Sequence, residues 1–254
     1  MNYIIFDLEF NQSLFPLKEH KNIATESCPF EIIEIGAVKL DQNLNTISDF
    51  ESIVKPELYL EIHPYVEELT GLTMKKLENA KPFAEVYKDF CEFISGEGNI
   101  LCVWGTVDIK ELFRNALYYK LDTSTVPLEY VNLQSRISKY LNCPKGTHIG
   151  LRNAVELLEI PVKDKFHNAF NDAFYTAEIF KKTYTNNFET LIYNFESNKR
   201  PIRQLTEKSQ VDLPSVFLQF EKMYHREMSI EEKDIIKLSY FMGKTNQFTI
   251  YHQK

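Results

Sequence analysis

The sequence has no apolar run of about 18 residues, so no helical membrane span is expected. No signal peptide is visible, because the opening residues MNYIIFDLEF place acids where its apolar centre would lie. Cysteine is sparse. Cys28, Cys91, Cys102 and Cys143 are scattered and form no CxxC, which argues against a disulfide framework or a zinc site and for reduced thiols in a cytoplasmic protein. There is no excess of positive charge either. A net charge of −7 argues against a protein that coats nucleic acid by bulk attraction. No internal repeat or low-complexity segment is present.

What is present is enough apolar surface for a sizeable core: 44% of 254 residues, with 19 Phe and 14 Tyr. The acidity is uneven. Residues 1–185 hold 19 Lys+Arg against 27 Asp+Glu, and residues 186–254 hold 10 against 9. An acidic body can still act on an anionic partner if divalent cations neutralise its site.

Short runs rich in β-branched and aromatic residues predict strands over 3–9, 31–40 and 46–55, with further strands over 100–104 and 130–133. Residues 10–30 read as loop. Apolar residues recurring at three and four predict helices over 64–71, 82–95, 107–120, from 134 to Leu141, 150–158 and 168–185. Three strands followed by alternating helices and strands suggest an α/β fold, a mixed sheet with helices on both faces. The pattern changes near residue 186. Domain 1–185 is therefore expected to be the catalytic body and 186–254 a helical C-terminal extension, with short helices over 187–198, 215–226 and 229–242.

Three motifs carry chemistry. In Phe6-Asp7-Leu8-Glu9 the two carboxylates alternate along a strand and so point to one side, where oxygen ligands suit Mg²⁺ or Mn²⁺. In Trp104-Gly105-Thr106-Val107-Asp108 a strand ends, a glycine turns the chain, and an acid enters a helix. An acid there also suits the positive end of the helix on purely structural grounds. In His167-Asn168-Ala169-Phe170-Asn171-Asp172-Ala173 the His and Asp are five apart, which turns them away from each other on one helix. A joint role needs His167 in the preceding loop and Asp172 in the early turns. Taken singly, each motif reads more readily as structure than as catalysis.

In order, however, D-x-E, strand–turn–D and H-x-A-x-x-D resemble the DEDDh exonucleases, which include proofreading subunits, RNase T and oligoribonuclease. The resemblance covers about residues 3–182. Glu31-Ile32-Ile33-Glu34-Ile35-Gly36-Ala37, His63-Pro64 and Leu69-Thr70-Gly71-Leu72-Thr73 look like the family's intervening segments, and Thr176-Ala177 like its continuation after Asp172. Phe170 stands where relatives often carry Leu. Phe6–Phe10, Pro29–Glu34 and Trp104-Gly105 look most like the branch of histone-mRNA and small-RNA 3′-end exonucleases and its bacterial relatives.

The resemblance implies a ribonuclease H-like fold with a five-stranded mixed sheet. It also implies 3′–5′ hydrolysis of single-stranded nucleic acid to 5′ mononucleotides with two divalent cations, Mg²⁺ or Mn²⁺. Asp7, Glu9, Asp108 and Asp172 would hold the metals, with Asp7 bridging them, and His167 would take the proton of the attacking water. The subgroup favours RNA over DNA. Phe10, Trp104 and Arg152 are the candidate substrate contacts: Phe10 by stacking on a base, worth roughly 1–3 kcal/mol, and Arg152, like Lys165, by meeting phosphate. Ile35-Gly36-Ala37 reads equally as a place where a substrate strand approaches closely and as a buried strand with a small residue. The competing reading is a catalytically silent nucleic-acid-binding or regulatory module of the same fold. The intact set of five residues argues against it.

Overall fold

Strands β1 (Asn2–Gln12), β2 (Phe30–Leu40) and β3 (Thr46–Lys55) form an antiparallel trio. Asp41 makes the reversal between β2 and β3, because its Oδ1 accepts the backbone N–H groups of Asn43 and Asn45, both at 2.8 Å. The computed structural model describes residues 2–14, 27–96, 98–185, 189–195 and 212–244. The basic residues Lys199, Arg200 and Arg203 lie outside them.

Four more strands complete one mixed sheet: β4 (Lys81–Pro82), β5 (Asn99–Val103), β6 (Glu129–Asn132) and β7 (Leu191–Ile192), in the order β4-β3-β2-β1-β5-β6-β7. The five expected strands are all there, and two edge strands of two residues each widen the sheet to seven. β5 and β6 run parallel to β1. The helices are α1 (Pro64–Thr70), α2 (Met74–Leu77), α3 (Phe83–Ile94), α4 (Val107–Tyr118), α5 (Leu133–Tyr140), α6 (Leu151–Leu157) and α7 (Ala169–Thr183).

Alternation along β1 divides the core. Ile4, Phe6 and Leu8 pack with Phe90 of α3 and with Leu112 and Phe113 of α4. Tyr3 and Ile5 face the other way, onto Ala177 and Phe180 of α7. The mixed sheet with helices on both faces is therefore present.

Two expectations need correction. Residues 10–12 are strand and not loop, since β1 keeps its pairing with β2 as far as Gln12↔Phe30. The helix expected over 187–198 is not formed at 191–192. There Leu191 and Ile192 pair antiparallel with Tyr130 and Glu129, and the Tyr193 ring stacks on Phe113 at 4.3 Å. Cross-strand pairing outweighs local helical propensity at this edge.

The chain divides into two compact units, Met1–Asn198 and Lys199–Lys254. β7 thus belongs with the sheet although it lies beyond residue 185. The second unit contains α8 (Leu213–Tyr224) and α9 (Ile230–Lys244), close to the helices expected there. An ion pair between Glu221 and Lys233 at 3.0 Å links the two helices. No described helix is long and apolar enough to cross a membrane.

In the first unit, β2 and α7 meet backbone to backbone. A Cβ built on Gly36 would sit 2.1 Å from the Phe170 nitrogen and 2.2 Å from the Ala169 carbonyl carbon. Backbone atoms cannot give way as a flexible side-chain end can. The small residue therefore admits a helix and not a substrate strand. Gly36→Ala should cost about 3 kcal/mol, the upper end of overpacking penalties, read as a lowered denaturant midpoint. A midpoint equal to wild type would show that the helix is not held against this strand.

Candidate active site

The parallel pairing of β1 with β5 stops at Ile5↔Cys102. Beyond it, Asp7 and Glu9 continue along β1 with β2 on one side only, opposite Gly36 and Glu34 respectively. A bulge directly after Glu9 shifts the register. The flank vacated by β5 is filled by the start of α4. Gly105 turns the chain with φ of +102°, and Asp108 enters the first turn of α4. The backbone N–H groups of Leu8 on β1 and of Asp108 itself favour the charged form of the Asp108 carboxyl.

α7 brings the remaining groups. His167 precedes the helix in the left-handed region, at φ of +65°, and Asp172 lies in the first turn. This is the loop-and-helix arrangement that the spacing of five requires. The His167 backbone N–H donates to Asp172 Oδ2 at 3.1 Å. Asn168 caps the helix by accepting the Asn171 N–H at 3.0 Å. Ligand atoms of Glu9, His167 and Asp172 all lie within 4.8 Å of one another.

Glu34 went unnoticed in the sequence as a part of the site. It is buried, and it accepts the Ala169 N–H at 3.0 Å and the Asn168 Nδ2 at 2.7 Å. A carboxylate at a helix N-terminus is favoured by the peptide dipoles. Here it ties that terminus, with His167 and Asp172 on either side, to the strand opposite Glu9. Its only signal in the sequence was an acid flanked by the apolar residues Ile33 and Ile35 within a strand.

All four carboxylates are held above their ordinary range. Burial is the largest cause for each. Burial raises Asp7 well above its usual value, reinforced by Asp108, Glu9, Asp172 and Glu34. Glu9 is pushed up to about 8 by burial and by the charges of Asp172, Glu34 and Asp108. Asp108 reaches about 7, with burial partly offset by its two backbone N–H bonds. Asp172 reaches about 6, with burial partly offset by the His167 N–H and the Arg152 charge. Burial lowers the His167 imidazole below its ordinary value, and Arg152 adds to the effect.

This donor set fits a hard cation. Carboxylates that repel one another in a low-dielectric site are stabilised by a positive ion among them. Asp172 Oδ1 is buried and has no hydrogen-bond partner among the described residues, although Oδ2 of the same group is satisfied. A buried carboxylate oxygen in that state is costly unless a ligand meets it.

The candidate substrate contacts are less uniform. Phe10 packs against the apolar cluster around Phe6 and Leu8, with its ring 6.2 Å from that of Phe30. Trp104 packs between two clusters on the α7 face, and its Nε1 is enclosed without a partner. Arg152 of α6 places its guanidinium over the Phe166 ring at 5.0 Å, and its charge acts on His167 and Asp172.

A family model described as exonuclease, RNase T, matches residues 4–180. The PolC-type DNA polymerase III of Thermotoga petrophila is 26% identical over 175 residues, which are 69% of this chain and 12% of that protein. The PolC-type polymerase of Thermotoga maritima is 32% identical over 88 residues, 35% of this chain and 6% of that protein. The chain thus spans only about an eighth or less of these curated relatives. Among solved structures, the nuclease domain of 3′hExo, a DEDDh family member bound to rAMP, matches with a TM-score of 0.63 at 20% identity, over 76% of this chain and 96% of that one. Exonuclease I of E. coli in complex with a dA16 oligonucleotide matches with a TM-score of 0.56 at 15% identity, over 71% of this chain and 40% of that one. These two structures share the fold.

The raised carboxylates make a testable demand on stability. In the metal-free fold they hold protons that the unfolded chain releases at its ordinary values of 3.8 and 4.5. Their contribution is therefore greatest at low pH and is lost as pH rises through about 6, 7 and 8. In chelator, the thermal midpoint should fall between pH 5.5 and pH 8, and Asp7→Asn should flatten that fall. Parallel curves for the two proteins would contradict the crowded-carboxylate account.

Proposed function

The chain belongs to the exonuclease (RNase T) family, and we propose that it shortens single-stranded nucleic acid from the 3′ end, releasing 5′ mononucleotides, with RNA favoured over DNA. The observation that carries this reading is the convergence of three distant motifs on one sheet end. Asp7 and Glu9 come from β1, Asp108 from α4, and His167 and Asp172 from the start of α7. Such a set serves no packing purpose, and each of its carboxylates is held at a cost.

Asp7, Glu9, Asp108 and Asp172 would hold two divalent cations, Mg²⁺ or Mn²⁺. Bound there, the cations would supply Lewis acidity toward the phosphodiester and the attacking water. His167 would act as general base. Its lowered pKa keeps the imidazole neutral near pH 7, so a ring nitrogen can accept the proton of that water. The backbone bond from His167 to Asp172 and the clamp of Glu34 on Asn168 and Ala169 keep the loop in place while the side chain turns over protons. Release at the 3′ end follows the family resemblance of these motifs. The preference for RNA rests on the look of the DEDDh segments and on the likeness to 3′hExo, whose structure holds rAMP. The exonuclease I complex holds a DNA oligonucleotide, so the polymer has to be measured.

A 5′-labelled single strand incubated with Mn²⁺ should give a ladder shortening from the 3′ end, faster on RNA than on matched DNA. A circular strand of the same sequence should stay intact. Asp7→Ala should abolish the ladder with the fold retained, and excess chelator should do the same reversibly. His167→Ala should slow it by about 10²–10⁴-fold, the usual range for a lost general base. Full activity in chelator would contradict a metal-dependent centre, and full activity in His167→Ala would remove the histidine as its base.

A further inference from the structure

A groove of about 620 Å³ reaches the reaction centre at His167. Leu69 from the end of α1, Arg152 of α6 and the segment 162–167 line it. Three cations line it, Arg152, Lys163 and Lys165, together with two carboxylates, Glu156 and Asp164.

None of these three cations forms an ion pair with a described carboxylate, although six ion pairs form elsewhere among the described residues. The Arg152 guanidinium lies 5.0 Å from the Phe166 ring centroid, a contact that uses none of its N–H donors. An arginine kept from carboxylates beside a phosphodiester-cleaving centre is presented to an anion. The rest of the wall is apolar: Leu69, Val162, which is 52% exposed, and the Phe166 ring.

Unpaired cations interleaved with flat apolar surface suit a polymer whose phosphates and unstacked bases alternate. A free mononucleotide would engage one cation and leave the others unused. We infer that this groove carries the retained part of a single-stranded polynucleotide away from the reaction centre, with Arg152 on the first backbone phosphate and Lys163 and Lys165 on those that follow. This inference rests on the exonuclease reading of the centre. RNA and DNA share the backbone chemistry that the groove recognises.

The test measures binding without turnover. Fluorescein-labelled 12-nucleotide RNA and matched DNA are titrated in chelator by fluorescence anisotropy at several salt concentrations. The triple variant Arg152→Ala, Lys163→Ala, Lys165→Ala should bind at least about tenfold more weakly. Its plot of log affinity against log salt should be shallower by about 2, since each phosphate contact on a single strand contributes roughly 0.7 to the slope. Glu156→Gln, which removes a negative charge from the same wall, should tighten binding. Loss on either polymer supports the groove and identifies the polymer it takes. Unchanged affinity and slope in the triple variant, or no tightening in Glu156→Gln, would overturn it, as would the absence of wild-type binding. A wild type that binds through the groove but gives no ladder with Mn²⁺ would instead overturn the exonuclease reading alone.

Discussion

Gly36 lets the first turn of α7 rest in direct backbone contact with β2, and Asp7, Glu9, His167 and Asp172 are placed relative to that contact. Asp7 lies across the strand pair from Gly36, and Glu9 across from Glu34. Glu34 then takes the free N–H of Ala169 and the side-chain amide of Asn168. The same few residues that seat the helix therefore set the distance from the strand carboxylates to His167 and Asp172. A side chain at position 36 would push the helix away and open the site without touching any of its members. On the other flank, the early end of β5 leaves room for Asp108, whose charged form the Leu8 backbone N–H favours.

This arrangement concentrates negative charge where water is scarce. Backbone donors relieve Asp108 and Asp172 in part, whereas every cause acting on Asp7 raises it. Asp7 sits among Asp108, Glu9, Asp172 and Glu34 and is the group most dependent on an added cation. Burial of this kind weakens the metal-free fold, and the opposed positive charge that would offset it is also the one the proposed chemistry calls on. On that proposal, stability and activity are coupled through the same four carboxylates. Arg152 is the resident cation acting on Asp172, and its place over Phe166 keeps it from collapsing into the carboxylates.

Much of this was legible in the sequence, because local rules govern it. Strand alternation places Asp7 and Glu9 on one side of β1. A glycine after a strand announces the turn that delivers Asp108. The spacing of five puts His167 before α7 and Asp172 within it. What was not legible depends on partners far away in the chain. Glu34 meets Asn168 across 134 residues, and nothing near Glu34 reveals that it faces a helix terminus. Buried Glu31 likewise accepts the N–H groups of Glu57, Leu58 and Tyr59, and Asn11 holds His63, so that β1 and β2 clamp the segment leading into α1. The edge strand β7 reads as helix until its pairing with β6 is known, and the bulge after Glu9 leaves no mark on the residue pattern.

The central claim is that the carboxylates of β1, α4 and α7 form one cation site, and equilibrium Mn²⁺ binding tests it most directly. Free Mn²⁺ would be counted by electron paramagnetic resonance during titration of the wild type and of Asp7→Asn, Asp108→Asn and Asp172→Asn. The account predicts saturable binding by the wild type and a marked loss of affinity in each single variant, although the three residues come from separate parts of the chain. Wild-type binding retained in Asp7→Asn would contradict it, because the most crowded carboxylate would then hold no metal.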